Sequence, residues 1–142
     1  MNKIYKYEKF ENEKLRFEKL LNFCNSIKNE SVIICTRTRY LPLLYSKLFN
    51  FNIQFSFYYS KYNYKYNESD IENFKENKSN ILLTDIINKD FINNNLTKIL
   101  FYDIDYQTLK IIQLEFKNKI EFLIYLLIDN NNFLLNNIIS NK

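Results

Sequence analysis

Short, uninterrupted runs of apolar residues alternate along this chain with segments of helical periodicity. Three such runs, at residues 32–35, 81–84 and 99–102, consist mainly of Val, Ile and Leu. A strand with no polar face is buried on both sides, which is typical of a parallel sheet covered by helices. Strands that alternate with helices are joined by right-handed crossovers. The sequence therefore predicts an α/β fold, a three-layer parallel sheet with helices on both faces.

The intervening segments complete this pattern. Residues 69–72, Ser-Asp-Ile-Glu, form a capping box, in which the Ser and Glu side chains satisfy backbone amides at the start of a helix that runs through residue 74. The Tyr- and Lys-rich segment 60–67 is expected to be a mobile loop. The other predicted elements are helices at 10–27, 41–48, 106–117 and 131–139, and strands at 53–58 and 120–128.

The chain contains no glycine and no histidine. Turns that need a positive φ must therefore use Asn, Asp or a strained residue, and the Asn runs at 93–95 and 130–132 are predicted turns. Without glycine there is no Walker-type phosphate loop and no dinucleotide-binding fingerprint. Without histidine there is no Ser-His-Asp triad and none of the commonest zinc sites. Cys24 and Cys35 are expected to be buried apolar residues rather than reactive thiols.

Length and charge place further bounds on the protein. A chain of 142 residues fits one domain, 1–142, and 46% hydrophobic residues are enough for a packed core. The abundant Asn, Lys, Ile, Tyr and Phe have A- and T-rich codons, which indicates an AT-rich genome. The net charge of +4 permits contact with nucleic acid without demanding it. We see no signal peptide and no membrane helix, and expect an intracellular protein of the nucleus or cytoplasm, with no membrane partner.

Several short sequences occur in an order that resembles a known family. They are Asn12-Glu13-Lys14, Val32-Ile33-Ile34-Cys35-Thr36-Arg37, Ile71-Glu72-Asn73-Phe74-Lys75, Asn80-Ile81-Leu82-Leu83-Thr84-Asp85 and Ile99-Leu100-Phe101-Tyr102-Asp103-Ile104-Asp105. Together they resemble the second, C-terminal, RecA-like lobe of superfamily 2 RNA helicases, and among these the DEAD-box proteins of the mRNA-export or translation-initiation type. The alternative is an unrelated Rossmann-like domain that shares only the rhythm of strand and helix.

The resemblance implies which residues contact RNA. Thr36, Arg37 and Arg39 match the motif IV region, which meets the sugar-phosphate backbone, and arginine suits phosphate because its donors form a planar fork. Thr84 and Asp85 match the Thr-Asp that opens motif V. In the simpler interpretation, this pair is a strand end with the aspartate as a helix cap.

The departures from the family pattern imply a degenerate lobe. Where motif V should continue with Arg-Gly and a later Asp stand Lys89, Asp90 and Ile92, although Lys89 keeps a cation for RNA. In motif VI, Gln113 matches the family, but arginines are replaced, with only Lys117 keeping a charge. Lysine is a poor substitute for an arginine finger. With the first lobe also absent, the resemblance implies no ATPase or helicase activity for this chain alone, no cofactor and no metal.

Three functions remain open. The first is a binding module that contacts the RNA backbone weakly, or a protein partner, with the aromatic segment 55–66 either stacking on bases or reflecting codon bias. The second is half of an ATPase that a separate first helicase lobe completes in trans. The third is a small metal-dependent nuclease that uses Asp85, Asp103 and Asp105 as magnesium ligands.

Overall fold

The computed structural model describes residues 4–62, 64–91, 93, 95–103 and 120–128. Within them the helices are α1 (Glu13–Ser26), α2 (Leu41–Asn50), α3 (Tyr64–Lys75) and a short 3-10 helix (Lys89–Phe91). The strands are β1 (Ile4–Phe10), β2 (Ser31–Cys35), β3 (Ser56–Tyr58), β4 (Ile81–Thr84), β5 (Leu96–Tyr102) and β6 (Glu121–Leu127).

The six described strands form one sheet in the order β1-β6-β5-β2-β4-β3, and every neighbouring pair is parallel. The three apolar runs lie side by side at its centre, where Ile33 of β2 is paired with Leu82 of β4 and Ile99 of β5. All residues of β2 and β4 are buried. The predicted parallel sheet with these central strands is confirmed.

Helices cover both faces of the sheet. On one face α1 and α2 pack through Phe17, Leu20 and Leu44 against sheet residues such as Ile34. On the other face Phe74 of α3 and Phe91 of the 3-10 helix pack against residues that include Ile33, Leu82 and Phe101. The alternation of side chains along each buried strand supplies both cores, and the predicted three-layer arrangement is confirmed.

Strand β1 was not predicted from the sequence. Its seven residues pair in parallel with β6, from Ile4 opposite Glu121 to Phe10 opposite Leu127. The strand lies at the edge of the sheet, and Lys6 and Tyr7 are exposed. An edge strand needs no continuous apolar run, so its mixture of Lys, Glu and Tyr does not carry the signal of the central strands.

The predicted capping box at residues 69–72 is wrong. Helix α3 begins at Tyr64, so Ser69 lies in its middle and the second half of the predicted loop is helical.

Side chains in the middle of α3 bind the backbone of the segment 57–59 instead. The Asp70 carboxylate accepts a hydrogen bond from the Phe57 amide at 2.7 Å. The buried Asn67 accepts from the Tyr59 amide at 3.1 Å and donates to the Tyr59 carbonyl at 3.0 Å.

These contacts, which we call the β3 seal, satisfy main-chain groups along the outer edge of β3. An exposed strand edge otherwise offers its amides and carbonyls to other chains. Helix α3 closes this edge with side chains instead of with another strand. The ladder of β3 is also shorter than the predicted strand at 53–58, because only Ser56–Tyr58 pairs with β4.

The turns of this glycine-free chain use the residues expected of them. The described residues with positive φ are Asn29, Asn52, Asn77 and Asp103, with φ between 58° and 63°. Asparagine and aspartate tolerate this region because their short polar side chains bond to the local backbone. The prediction that Asn and Asp replace glycine is confirmed at these four positions.

Some predicted elements lie outside the described residues. They are the helices at 106–117 and 131–139 and the turn at 130–132. Of the helices that the structure describes, none has the length and apolar character needed to cross a membrane.

Candidate functional site

The carboxyl ends of β2, β4 and β5 lie next to one another, because these strands are neighbours and parallel. The Thr36 amide donates to the Thr84 carbonyl at 3.0 Å, and the Arg37 amide donates to the Asp103 carbonyl at 3.3 Å. Three segments that are distant in sequence are thus joined at one edge of the sheet. Ligands of open parallel sheets bind at this edge, so we take it as the candidate site.

The turn between β2 and α2 carries two of the predicted RNA-binding residues. The side chains of Arg37 and Arg39 are exposed, and Arg37 retains 47% of its side-chain surface in contact with solvent. The Tyr40 and Leu41 amides both donate to the Arg37 carbonyl, at 2.9 and 3.1 Å. The backbone of this turn is therefore held by hydrogen bonds on both sides, while its cations face outward.

A second group of polar residues, which we call the Glu13 cluster, lies behind this turn. The Glu13 carboxylate, in the first turn of α1, accepts hydrogen bonds from Arg16 at 2.8 Å and Lys47 at 3.2 Å. It also accepts from the hydroxyls of Tyr40 and Tyr102, the latter at 3.1 Å to each oxygen. The cluster joins α1, α2 and β5 at the carboxyl edge of the sheet.

Arg16 is the buried cation of this cluster. Only 3% of its side-chain surface is exposed, and its guanidinium lies 4.2 Å from the centre of the Tyr102 ring. One nitrogen lies 2.7 Å from Glu13, and another lies 4.0 Å from Asp103. A buried charge requires such partners, because burial removes the water that would otherwise stabilise it.

The protonation states follow from this packing. Partial burial acts to raise the pKa of Glu13, but the hydrogen bond from Tyr40 and the contacts with Arg16 and Lys47 outweigh it, so the pKa lies below its ordinary value. Burial, reinforced by the charge of Glu13, raises the pKa of both phenols, those of Tyr40 and Tyr102. At neutral pH the carboxylate is therefore ionised and the phenols remain donors.

Thr84 and Asp85 are placed in the interior rather than on the surface. The Thr84 hydroxyl donates to the Ile86 carbonyl at 3.1 Å and accepts from the Ile86 amide at 3.2 Å. Asp85 is 7% exposed and accepts from the amide and the hydroxyl of Ser60, at 3.0 and 2.5 Å. Asp85 therefore fixes the loop after β3 instead of capping a helix. Their predicted contact with RNA stays a prediction.

The structure gives fewer contacts for the remaining predicted site residues. Thr36 is buried, and among the described residues its hydroxyl has no hydrogen-bond partner. Lys89 begins the 3-10 helix. Gln113 and Lys117, predicted to be the remnant of motif VI, lie outside the described residues.

The described carboxylates do not form a metal site. No group of three or more His, Cys, Asp or Glu side chains that could bind a metal occurs in the part of the chain that the structure describes. Asp85 binds Ser60, and Asp103 forms an ion pair with Arg37 at 3.0 Å. Asp105 lies outside the described residues. These engaged carboxylates do not support the nuclease hypothesis.

Sequence reasoning missed the Glu13 cluster. Helical periodicity puts Glu13 on the face of α1 away from the apolar residues, which indicates a solvated side chain, and no pattern assigns a role to Arg16, Tyr40 or Lys47. One signal was present: Glu13 and Arg16 are three residues apart in the first turn of a helix, where side chains meet. The partners from α2 and β5 depend on the tertiary fold and leave no local pattern.

A cleft of about 870 Å³ lies at the opposite, amino end of the strands. The residues that line it include many uncharged amide side chains and several apolar ones. The lining includes Asn25, Asn52, Gln54, Asn73 and Asn80, together with Ile27, Ile53, Phe55 and Ile81. The lining also includes Asp70 and Lys78, so the amino end differs from the carboxyl end in its many neutral amides rather than in lacking charge.

Comparisons with known proteins place this architecture. No protein-family model matches the chain, and no curated protein sequence matches it significantly. Among solved structures, the C-terminal domain of a Dbp5 variant from S. cerevisiae, bound to a Gle1 variant and IP6, is similar with a TM-score of 0.72 at 17% identity. That similarity covers 97% of this chain and 82% of the other.

Two further solved structures agree. A structure of the C-terminal domain of the DEAD-box protein Dbp5 has a TM-score of 0.71 at 20% identity, covering 99% of this chain and 84% of that one. Domain 2 of the DEAD-box helicase Mss116p, bound to an RNA duplex, has a TM-score of 0.58 at 16% identity, covering 94% and 57%. The chain has the RecA-like fold of the C-terminal domain of DEAD-box helicases, as the motifs predicted.

Proposed function

We propose that this domain is a degenerate helicase second lobe that binds the sugar-phosphate backbone of RNA at the turn between β2 and α2. The observation that carries the proposal is the exposure of Arg37 and Arg39 on one turn whose backbone is held by hydrogen bonds to Asp103 and α2. A guanidinium presents donors in a geometry that matches phosphate oxygens. A fixed turn loses little conformational entropy when it binds.

The expected affinity is low and largely independent of sequence. Phosphate contacts position a protein on nucleic acid without reading bases, and their strength grows with the number of cations involved. This proposal has only three cations to contact phosphate, which are Arg37, Arg39 and the predicted contact Lys89. The RNA duplex bound by the similar domain of Mss116p supports an RNA ligand for this fold.

We infer that the chain alone does not hydrolyse ATP. Ile92 stands where the family has the Asp that holds the nucleotide. Leu114, Lys117 and Ile120 stand where it has the arginines that stabilise charge. Loss of such contacts commonly costs orders of magnitude in rate. RNA-stimulated ATP turnover by the purified protein that disappears in Asp85→Ala would contradict this inference.

The RNA proposal is tested with two double variants of equal charge. Arg37→Ala/Arg39→Ala removes the proposed contacts, while Lys28→Ala/Lys75→Ala removes two exposed cations near the amino ends of β2 and β4. Fluorescence anisotropy with several unrelated single-stranded RNAs measures affinity over a range of salt concentrations. The first variant should weaken the binding of all RNAs equally. It should also reduce the slope of log affinity against log salt concentration by up to about 1.4, since each lost phosphate contact removes roughly 0.7.

The matched control distinguishes binding at the proposed site from attraction by the net charge of the protein. If both double variants weaken binding equally, the affinity reflects net charge and the proposed site is wrong. If neither changes the affinity, or if the affinity does not depend on salt, RNA is not bound at this edge.

A protein partner is the second candidate, favoured by an exposed apolar surface. Leu43, Phe49 and Phe51 on and after α2 are 52%, 63% and 57% exposed, and Tyr62 is 49% exposed. By contrast Phe55, Phe57 and Tyr59 of the predicted aromatic segment are half-buried and pack on the core. The similar Dbp5 domain is bound to a Gle1 variant, which supports a protein partner for this fold. A Phe49→Ser/Phe51→Ser variant that keeps full RNA affinity would separate the two surfaces.

A further inference from the structure

Asp103 lies between two arginines that differ in exposure to solvent. One carboxylate oxygen is 3.0 Å from Arg37, and the other is 4.0 Å from Arg16. Arg37 has 47% of its side chain exposed, whereas Arg16 has 3% and is held by Glu13 and the Tyr102 ring. The exposed guanidinium can therefore leave Asp103, while the buried one remains beside it.

We propose that Asp103 is an internal counter-ion of Arg37, which an RNA phosphate must displace in order to bind. This inference rests on the proposed function, because it concerns the same arginine. A carboxylate and a phosphate use the same donors of the guanidinium fork. Asp103 therefore occupies the nitrogen that a phosphate would contact, and it lowers the affinity of the turn for RNA.

The charges of the cluster allow this exchange at low cost. When Arg37 turns toward a phosphate, the carboxylates of Glu13 and Asp103 remain opposite the cations of Arg16 and Lys47. No unpaired charge is left buried, which would be expensive. The Asp103 carboxylate keeps 27% of its side chain in contact with solvent and stays partly hydrated.

The backbone at Asp103 also fits this role. Its φ is 61°, so the backbone leaves the extended conformation at this residue, directly after the end of β5. Its carbonyl accepts from the Arg37 amide at 3.3 Å, so the turn stays attached when the side-chain ion pair opens. Only the guanidinium has to move.

The test replaces the charge and keeps the shape. Asp103→Asn is isosteric, and asparagine tolerates a positive φ at least as well as aspartate does. The control Glu72→Gln removes one negative charge from an exposed side chain near the end of α3. With the same single-stranded RNAs, Asp103→Asn should tighten binding by about two- to fivefold, the range of a partly exposed ion pair, and Glu72→Gln should not.

A double-mutant cycle assigns the gain to Arg37. In the Arg37→Ala background, Asp103→Asn should no longer tighten binding. The inference is overturned if Asp103→Asn raises RNA affinity no more than Glu72→Gln does. It is also overturned if the rise in affinity persists in the Arg37→Ala background. Either result leaves the proposed function intact. If wild-type binding does not depend on Arg37 and Arg39, the proposed function fails and this inference fails with it. Unchanged urea midpoints confirm that each variant is folded.

Discussion

The Glu13 cluster and the β3 seal both hold polar groups around the parallel sheet, but they use different chemistry. In the Glu13 cluster a carboxylate binds two cations and two phenols, and one of the cations is buried. In the β3 seal, side chains of α3 bind mainly the neutral backbone groups of Phe57 and Tyr59. The first joins three elements at the candidate site, and the second closes the edge of one strand.

This difference teaches which part of the molecule can respond to conditions. A buried ion pair depends on the protonation of its carboxylate, and its loss leaves an uncompensated charge. An amide that binds backbone groups has no such dependence between acid and neutral pH. We expect pH and anionic ligands to act on the Glu13 cluster, and truncation alone to act on the Asn67 contacts of the β3 seal.

The largest effect should come from removing the carboxylate of the cluster. Glu13→Ala leaves Arg16 buried with Asp103 at 4.0 Å as its remaining acidic neighbour among the described residues. We expect a loss of about 3 kcal/mol in the free energy of unfolding, measured by urea titration. Glu18→Ala, an exposed position on the same helix, should change stability by less than about 0.5 kcal/mol. Equal small effects of both variants would show that Arg16 does not need Glu13.

Truncation of the β3 seal should have the next largest effect. Asn67→Ala leaves the amide and carbonyl of Tyr59 without their side-chain partner at a site where Asn67 is 3% exposed. We expect a loss of about 1–3 kcal/mol, because buried polar groups would lose their hydrogen bonds. The exposed Asn22→Ala on α1 serves as the control. A loss that changes strongly with pH would break the distinction between the two regions.

Acid should weaken the Glu13 cluster and spare the contacts of Asn67 in the β3 seal. The pKa of Glu13 is lowered in the folded state from the value of 4.5 that applies when unfolded, so its contribution is fully present above that value. The contribution is lost as the pH falls through the lower, folded pKa. Urea titrations from neutral to acid pH should show a shallower decline for Glu13→Gln than for the wild type. Asn67→Ala should keep the wild-type pH slope, and a shared change of slope would contradict this prediction.

The smallest effect should come from the exposed cation of the cluster. Lys47 lies 3.2 Å from Glu13 with 31% of its side chain exposed, and its ammonium lies 4.8 Å from the centre of the Phe17 ring. Lys47→Met keeps the apolar stem and should cost less than about 1 kcal/mol, because a partly hydrated ion pair contributes little. A loss of unfolding free energy as large as that caused by Glu13→Ala would show that the residues of the cluster stabilise the fold as one unit.

The sequence predicted those features whose causes are local. The runs at 32–35, 81–84 and 99–102 are almost entirely apolar because both of their faces are buried, so the sequence alone predicts the centre of the sheet. Asn29, Asn52 and Asn77 adopt positive φ because no glycine is available. The placement of Arg37 and Arg39 at a carboxyl edge followed from the order of strand and helix.

The sequence did not predict features that depend on distant partners. Ser69 and Glu72 have the spacing of a capping box, yet α3 continues through them, because Asn67 and Asp70 bind β3 from inside the helix. Glu13 looks like a solvated helical residue until Tyr102 is brought beside it by the sheet. In each case tertiary contacts override the local pattern.

The pairing of β1 with β6 has a consequence for how the domain folds. These are the first and last described strands, and they lie together at one margin of the sheet in full parallel register. Closing so long a loop costs chain entropy before the paired strands return any stabilisation. The inner pairs, β2 with β4 and β2 with β5, are closer in sequence and can assemble earlier. The β1 margin should therefore be the last part of the sheet to form during refolding and the first to exchange its amide hydrogens with solvent.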